Sequence, residues 1–268
     1  MPADTSPTQG PRTVVVGASS GLGRCIGIGL AERGGTVALL ARRKDRIQSA
    51  AEQAGNGSVA IACDVTDEPS VQSAIEEAAA ALGGIDALVY TPGIGTLRAI
   101  EDTDQAAWRA AFDTNVIGAS IVTAALLPHL QASSGSALYL SSVSASQTPP
   151  WPGLGSYAVS KAALDKMIDA WREEHPEVGF TRVVIGECAG GEGEAMTEFA
   201  NTWDPEIAGD FVMGWVTKGY MTGALVDVAN VVHMVDTVVR SDPSLCVRSV
   251  TVAPRLVTPT AFPEMPET

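Results

Sequence analysis

The chain has 268 residues, of which 46% are hydrophobic and 18% are charged, and its formal net charge is −14. This length and composition predict one large soluble α/β domain. So acidic a balance argues against a nucleic acid or an anionic membrane as partner. No uninterrupted apolar run approaches the ~18–20 residues that a membrane-spanning helix needs, so we expect neither partner.

Short apolar runs alternate with helical patterns between residues 12 and 255. Strands are predicted at Thr13–Val16, Thr36–Leu40, Ser58–Ala62, Ile85–Tyr90, Ala137–Leu140, Arg182–Ile185 and Val247–Val252. Helices are predicted at 22–32, 44–54, 68–82, 104–130, 156–174 and 226–239. Because the strands are apolar throughout, the pattern favours a doubly wound parallel sheet of about seven strands with helices on both faces.

The ends of the chain and its cysteines set the expected compartment. Residues 1–11 lack the charged start and apolar block of a signal peptide, so they are predicted to form a disordered tail. Residues 256–268, rich in proline, are predicted to form an irregular tail. The four cysteines form no CxxC pair and the three histidines are isolated, so we expect no metal, no disulfide and a cytoplasmic location.

A glycine-rich turn joins the first predicted strand to the first helix. Its glycines at 17, 21 and 23 have the spacing GxxxGxG rather than the commoner GxGxxG. Glycine there permits a tight turn and lets backbone N–H groups approach a pyrophosphate at the helix N-terminus. A merely structural turn is the alternative interpretation. The predicted cofactor contacts in this turn are Gly17, Ser19, Ser20, Gly21, Leu22, Gly23 and Arg24.

The end of the second predicted strand indicates which dinucleotide binds. Ala41 is followed by Arg42 and Arg43, and four of the seventeen basic residues lie between 42 and 46. An acidic residue at this position would bond the ribose 2′-hydroxyl of NAD, whereas an arginine accommodates the 2′-phosphate of NADP. A solvated first helical turn is the alternative. We predict NADP(H), with NAD(H) the less favoured cofactor.

Tyr157 and Lys161 are four residues apart near the start of a predicted helix. At that spacing their Cβ atoms lie about 5–6 Å apart on one face. A neighbouring ammonium favours the phenolate, so we expect the Tyr157 pKa to fall below its usual ~10. Ser142 follows an apolar strand, and open α/β sheets bind ligands at their strands' carboxyl ends. Together these residues predict a site for proton transfer.

The glycine turn, Ser142, Tyr157 and Lys161, in this order, resemble the short-chain dehydrogenase/reductase family in its compact single-domain branch. The resemblance covers about residues 12–255 and implies a Rossmann-type sheet of order 3-2-1-4-5-6-7. It implies that Tyr157 is the general acid and base, and that Lys161 lowers its pKa and holds the nicotinamide ribose. Ser142 would bond the substrate oxygen, and Asn115 would hold a water in a proton relay through the lysine.

Further matches and departures surround these residues. The resemblance implies that Asp64 and Val65 meet the adenine, that the cofactor passes Gly93, and that Thr197 contacts the nicotinamide carboxamide. The family's Asn-Asn-Ala before that glycine is replaced by Tyr-Thr-Pro, and its Pro-Gly after the sixth strand is replaced by Gly-Glu-Cys. The interval from serine to Tyr157 is fifteen residues rather than thirteen, so Ser144 remains an alternative to Ser142.

Residues 186–223 are too long and irregular for a plain connection, which predicts a lid. Its aromatic residues are Phe199, Trp203, Phe211, Trp215 and Tyr220. They indicate either an apolar or aromatic carbonyl substrate, or packing of the lid onto the domain or onto another subunit. Both interpretations stay open.

The function predicted from these features is an NADP(H)-dependent oxidoreductase that interconverts a ketone or aldehyde with an alcohol. The resemblance also implies a homotetramer or homodimer, joined through the helices that hold Asn115 and Tyr157. A dinucleotide-binding sensor without turnover is the alternative, because the two replaced motifs leave room for it. An extended-branch sugar-nucleotide epimerase shares the Tyr–Lys spacing but needs a longer C-terminal substrate domain.

Overall fold

The computed structural model describes residues 10–221 and 223–255. The predicted tails, apart from residues 10 and 11, lie outside this part of the chain. The strands are β1 Arg12–Val16, β2 Thr36–Ala41, β3 Val59–Ala62, β4 Ala87–Tyr90, β5 Ser136–Ser142, β6 Gly179–Ile185 and β7 Ser249–Val252. The helices are α1 Gly21–Glu32, α2 Lys44–Ala54, α3 Glu68–Leu82, α4 Gln105–Phe112, α5 Gly118–Ser133, α6 Val143–Ser146, α7 Gly155–Glu174, α8 Pro205–Thr217 and α9 Val228–Val239.

The seven strands form one parallel sheet in the order β3-β2-β1-β4-β5-β6-β7. This confirms the predicted fold class and strand order. In the register, Val16 at the end of β1 pairs with Leu40 of β2 and Tyr90 of β4. The strand order reverses between β1 and β4, and a crevice for ligands opens at the carboxyl ends of strands at such a point.

Two apolar layers cover the sheet. One contains buried side chains of α3, α5 and α7, among them Leu126 and Leu164, and the other contains those of α1, α2 and α9. Tyr90, Tyr139 and Phe180 are fully buried in the first layer. Because burial of one such large apolar side chain is worth about 1.5–3 kcal/mol, these layers hold the strand ends, and with them the site, in place.

The helices differ from the predicted ones at three points, the first being the short helix α6, which was not predicted. The predicted helix over 104–130 is interrupted by a π-helical turn at Asp113–Ile117, which separates α4 from α5. Helix α8 lies within the region that was expected to be irregular. Its start carries recognisable signals, because Asp204 accepts a hydrogen bond from Glu206 N at 3.0 Å and Pro205 occupies the first turn.

The helical stretch Gln105–Ser133 is long and apolar enough to cross a membrane by length and composition alone. Within it, Val122, Leu126 and Leu130 are buried in the layer shared with α3. A core helix passes the same test as a membrane span, so this single stretch is weak evidence for membrane insertion.

Candidate active site

A cleft of about 920 Å³ opens at the carboxyl ends of the central strands. Most residues that the sequence singled out line it. The predicted residues in its lining are Gly17, Ser19, Ser20, Gly21, Leu22, Gly23, Arg42, Arg43, Asp64, Val65, Gly93, Ser142, Ser144, Tyr157, Lys161 and Thr197. Asn115 and Arg24 lie outside the lining, in different directions. The volume falls within the range of pockets that hold cofactors and drug-sized ligands.

The glycine turn packs closely on the segment after β4. Gly17 has a φ of +83°, and a Cβ built there would lie 2.5 Å from Thr91 Oγ1. The Thr91 hydroxyl donates to Val16 O at 2.6 Å. Thr91 therefore braces the turn at one of the positions where the expected asparagines are missing, and Gly17 has to be glycine for both its conformation and this contact.

Two of the three arginines predicted to contact the cofactor, Arg42 and Arg43, line the cleft. Arg42 is exposed and lines the cleft. Arg43 also lines it, and its Nη2 donates to Ser19 Oγ at 2.8 Å and Ser20 Oγ at 3.0 Å. Arg43 is thus beside the glycine turn, and Arg42 lines the same cleft at the end of β2, where a 2′-phosphate would lie.

Arg24 is not brought to this site. Its side chain is buried, donates to Arg46 O at 2.8 Å, and forms an ion pair with Glu194 at 3.0 Å. Because α1 packs against α2, the Arg24 guanidinium joins those helices and faces away from the cleft. The geometry therefore corrects the expectation of a cofactor contact at this residue.

Asp64 and Val65 line the cleft after β3, at the edge expected for adenine. Asp64 Oδ1 accepts hydrogen bonds from Thr66 N at 3.0 Å and Thr66 Oγ1 at 2.7 Å. These bonds lower the pKa of Asp64, so the carboxylate is ionised at neutral pH. Contact with adenine stays a prediction for both residues.

Tyr157 and Lys161 face the cleft from the first turns of α7. Lys161 is 2% exposed, and its Nζ donates to Leu140 O at 2.8 Å and Pro92 O at 3.3 Å. Nζ lies 5.9 Å from the centroid of the Tyr157 ring. Gly93 permits this placement, because a Cβ built there would be only 3.2 Å from Nζ.

The protonation of this pair differs from the prediction. Burial raises the pKa of Tyr157 to about 12, with the neighbouring Ser142 hydroxyl acting in the opposite direction. Burial also lowers the pKa of Lys161 to about 8, opposed by the charge of Asp165. The expected fall of the Tyr157 pKa is therefore wrong for this structure, because the ammonium group donates to backbone carbonyls and desolvation of the phenol dominates.

Ser142 is the last residue of β5, as its position after the apolar run predicted. Its Oγ lies 2.9 Å from Ser144 Oγ and accepts a hydrogen bond from Ser144 N at 3.2 Å. Both serines line the cleft. The two hydroxyls are thus hydrogen-bonded to each other near Tyr157. Which of the two serines bonds the substrate oxygen stays open.

Comparison with known proteins identifies the family of this chain. Residues 12–204 match the family model described as short chain dehydrogenase. The chain belongs to this family. The match covers the glycine turn, the serine pair, Tyr157 and Lys161, so the predicted family is confirmed.

Three relatives illustrate the extent of the similarity. The 11-beta-hydroxysteroid dehydrogenase A of Sesamum indicum is 32% identical over 183 residues, which cover 66% of this chain and 52% of that protein. An alcohol dehydrogenase from the archaeon Thermococcus sibiricus, complexed with 5-hydroxy-NADP, has a TM-score of 0.77 at 21% identity and covers 94% of this chain and 99% of its own. A 3-ketoacyl-(acyl-carrier-protein) reductase from Brucella melitensis, complexed with NADH, has a TM-score of 0.76 at 22% identity, with coverages of 92% and 98%.

These similarities establish the family and the fold. At 21% and 22% identity, the two structures establish the fold alone. The chain spans about half the length of two of the curated relatives it matches, at 55% and 52%, and 14% of a third. The activity of this short chain dehydrogenase therefore has to be inferred from its own residues.

Asn115 lies behind the cleft, on the π-helical turn. It is fully buried, and its Nδ2 donates to Ile94 O at 2.9 Å and Ser160 Oγ at 2.8 Å. Its Oδ1 accepts from Ile94 N at 2.9 Å. The whole amide thus braces the segment after β4 in this short chain dehydrogenase, and the water-holding role stays a prediction.

Asp165 is a site residue that the sequence reasoning missed. It is 6% exposed and lies one helical turn after Lys161 on α7. Its charge favours the protonated form of Lys161, while burial raises the pKa of Asp165 itself. Lys161 and Asp165 are four residues apart in the helix, and this spacing alone predicts that their side chains share one face.

Aromatic side chains of residues 186–223, the predicted lid, attach this segment to the rest of this short chain dehydrogenase through hydrogen bonds and ring contacts. Trp203 Nε1 donates to Gly95 O at 3.0 Å, and Trp215 Nε1 donates to Pro152 O at 2.8 Å. The Phe199 ring lies 4.8 Å from the Tyr157 ring between centroids. Phe199, Trp203 and Trp215 also line the cleft. The aromatics therefore both pack the lid onto the domain and form an apolar wall of the cleft.

Thr197 also belongs to this lid. Its N donates to Ala189 O at 2.9 Å, and its Cα lies 3.4 Å from a Cβ built on Gly21. The backbone of Thr197 therefore lies over the start of α1, whereas its hydroxyl accepts a hydrogen bond from Phe199 N at 3.4 Å. Contact with a carboxamide stays a prediction. Across the part of the chain that the structure describes, no cluster of three or more His, Cys, Asp or Glu could hold a metal ion.

Proposed function

We propose that the protein is an NADP(H)-dependent oxidoreductase that interconverts an apolar ketone or aldehyde with the corresponding alcohol. The observation that carries this proposal is the convergence of Tyr157, Lys161 and the serine pair on a cleft that also contains the glycine turn. When bound, a nicotinamide cofactor supplies or accepts the hydride. The residues of the chain bind, orient and exchange the proton.

The residues of the cleft support the proposal of a phosphorylated dinucleotide. The N-terminus of α1 suits a pyrophosphate, which would replace Met196 O as the acceptor of the Gly21 N–H. Ala41 provides no carboxylate for a ribose 2′-hydroxyl, whereas Arg42 is exposed beside it to accept a 2′-phosphate. Because the two similar structures contain an NADP derivative and NADH respectively, the preference for NADP(H) rests on these arginines.

In this proposal Tyr157 is the proton donor. With a pKa of about 12, its phenol keeps the proton at neutral pH and can donate it to a carbonyl oxygen during reduction. Ser142 or Ser144 would donate a hydrogen bond to the same oxygen and stabilise the negative charge that develops there. Lys161 would hold the nicotinamide ribose.

The walls of the cleft favour an apolar substrate. Phe199, Trp203 and Trp215 line it beside Tyr157, and large apolar side chains exclude water from the reacting groups. The relative from Sesamum indicum is named a hydroxysteroid dehydrogenase, which indicates an apolar substrate for that protein. We extend only the apolar character to this chain.

The test is a Tyr157→Phe variant examined with the wild type for binding and turnover. Binding is followed by fluorescence titration with NADPH and NADH, and turnover by NADPH oxidation at 340 nm with a panel of apolar ketones and aldehydes. We expect tighter binding of NADPH than of NADH. Tyr157→Phe should keep that binding and lose at least roughly 100-fold in turnover, as for removal of a general acid.

Tyr220→Phe is the matched control, because it removes a hydroxyl from the aromatic cluster at a residue outside the cleft lining. It should turn over like the wild type. Full turnover by Tyr157→Phe would refute the assigned proton donor. A wild type that binds NADPH and reduces no member of the panel would instead favour the sensor.

A further inference from the structure

A carboxylate from the lid lies between two of the basic residues that follow β2. Glu198 Oε2 is 2.5 Å from Arg43 Nη1, and Glu198 Oε1 is 2.5 Å from Arg46 Nη1. The Glu198 side chain is 27% exposed, so this double ion pair is partly shielded from water. Each oxygen of the carboxylate therefore has a guanidinium of its own.

The surroundings of this ion pair are those of an anion site. Arg43 donates at the same time to the hydroxyls of Ser19 and Ser20 in the glycine turn. Three parts of the chain thus meet at the Arg43 guanidinium: the glycine turn through its serines, the start of α2 that carries Arg43, and the lid through Glu198. A guanidinium of this kind binds carboxylate and phosphate in the same geometry.

The same stretch of the lid contacts the glycine turn through its backbone. Met196 O accepts a hydrogen bond from Gly21 N, the first residue of α1, at 3.2 Å. Thr197, which separates Met196 from Glu198, is held by Ala189 O at 2.9 Å. The position of Glu198 is consequently set by backbone contacts on the amino side as well as by its own ion pairs.

We infer that Glu198 is a specificity residue, whose carboxylate takes the place between Arg43 and Arg46 that the 2′-phosphate of NADP(H) would take. The inference rests on the proposed function, because it assumes that a dinucleotide binds along the glycine turn. A 2′-phosphate has to displace this carboxylate before it can pair with the two arginines. The 2′-hydroxyl of NAD(H) does not have to displace the carboxylate. Glu198 therefore weakens NADP(H) binding and leaves NAD(H) binding largely unchanged.

The opposite effect is expected if the ion pair merely closes the lid over a bound cofactor. In that case loss of the charge on Glu198 would weaken both dinucleotides to a similar extent, since the lid covers the part of the cofactor that they share. The two effects have opposite signs for NADPH. Binding measurements on one charge-neutral variant therefore separate them.

The experiment uses the full chain as wild type, Glu198→Gln and Glu206→Gln. Glu206→Gln is the matched control, because it removes one negative charge from the same lid, at an exposed position on α8. Dissociation constants are measured by fluorescence titration with NADPH and NADH, and by calorimetry with 2′,5′-ADP and 5′-AMP. The last two probes differ only in the 2′-phosphate and carry no nicotinamide.

We expect Glu198→Gln to bind NADPH and 2′,5′-ADP roughly 3–10-fold more tightly, the range for removing partly exposed competing ion pairs. Binding of NADH and 5′-AMP should stay within about twofold of the wild type, and Glu206→Gln should match the wild type for all four. Glu198→Ser, which shortens the side chain, should shift affinity in the same direction. Thermal melting checks that each variant is folded.

Unchanged or weaker NADPH binding by folded Glu198→Gln and Glu198→Ser would overturn the inference. So would equal tightening of NADH and NADPH. These outcomes leave the proposed function intact, provided that the wild type binds a dinucleotide. If the wild type and both Glu198 variants bind no dinucleotide at all, the proposed function itself fails.

Discussion

Burial of the Lys161 side chain lowers the stability of the folded protein. The residue is 2% exposed, and its amine has backbone carbonyls and the nearby charge of Asp165 as partners. Taking an ammonium group out of water is unfavourable unless strong partners replace the water. The lowered pKa of about 8 expresses this cost, because the buried ammonium group loses its proton at a lower pH than a solvated lysine does.

The cost has a defined dependence on pH. The unfolded chain holds the lysine proton up to about pH 10.5, whereas the folded protein releases it near pH 8. Between these values the unfolded state binds more protons, so the free energy of unfolding rises with pH. The penalty from Lys161 is therefore fully present below pH 8 and disappears as the pH approaches 10.5.

Lys161→Met should reveal this penalty. The difference in free energy of unfolding, variant minus wild type, should fall by about 2 kcal/mol between pH 7 and pH 10. Urea unfolding at both pH values measures it, and comparing the two cancels the pH-independent loss of the hydrogen bonds to carbonyls. Lys166→Met, at a side chain that is 83% exposed, is the control and should give the same difference at both. A constant difference for Lys161→Met would contradict the lowered pKa.

Residues could be predicted from the sequence where the signal is local. The spacing of Tyr157 and Lys161 on one helix and the position of Ser142 after a strand needed only the periodicities of helix and strand. The direction of the Tyr157 pKa could not be predicted, because it depends on how deeply the ring is buried by Phe199 and the rest of the lid. Burial is a tertiary property that no local pattern contains.

At the scale of elements, regular strand and helix patterns were sufficient for most of the sheet and its covering helices. The bounds of α2 and α3 agree with the predicted ones, since each has an unbroken amphipathic pattern and a glycine at its end. The π-helical turn at Asp113–Ile117 was missed because its sequence continues the helical pattern. It is stabilised by the contacts of Asn115, which lie far along the chain.

Helix α8 was missed for a different reason. It is docked by aromatic side chains, and its only buried residue is Trp215. Trp215 packs against Trp151 at 5.1 Å and Trp203 at 6.0 Å between ring centroids. An element with so narrow a buried contact is expected to open more readily than the helices that cover the sheet.

Trp215→Ala should therefore release α8 while the domain stays folded. Loss of one buried tryptophan costs roughly 3–5 kcal/mol, which should raise amide exchange in residues 205–217 at least about 100-fold while exchange in β4 and β5 stays unchanged. Hydrogen exchange with mass spectrometry measures both regions in one experiment. Trp215→Phe keeps the ring packing and loses the bond to Pro152 O, so it should give a smaller increase. Faster exchange in the strands as well would mean that α8 is an integral part of the domain core.

At the scale of the whole molecule, the site is assembled from segments that are distant in sequence. Arg43 and its partner Glu198 are 155 residues apart, and Thr91 braces a carbonyl 75 residues earlier. Parallel strand order brings the turns after β1, β2, β4 and β5 to one edge, which the sequence could predict through the family resemblance. The pairing of particular side chains across that edge depends on the lid, whose course the sequence did not indicate.

The outer surface also carries apolar residues that the chain leaves exposed. Ile100, Ile117 and Val159 are 62%, 49% and 45% exposed. Ile117 and Val159 belong to the π-helical turn and α7, which pack against each other and also hold Asn115 and Tyr157. This is the surface through which the family resemblance implies a homodimer, and exposed apolar side chains on neighbouring helices are typical of such a contact.

We expect the wild type to be a dimer or tetramer at micromolar concentration, and the double variant Ile117→Glu, Val159→Glu to be monomeric. Because a carboxylate buried without a partner in a subunit contact is strongly unfavourable, association should weaken at least roughly 100-fold. Size-exclusion chromatography with light scattering gives the mass. Leu245→Glu, at a residue that is 57% exposed elsewhere on the surface, should leave the mass unchanged. Since both substituted side chains are exposed within one chain, the variant should melt as a folded protein, and an unchanged mass would place the subunit contact on another surface.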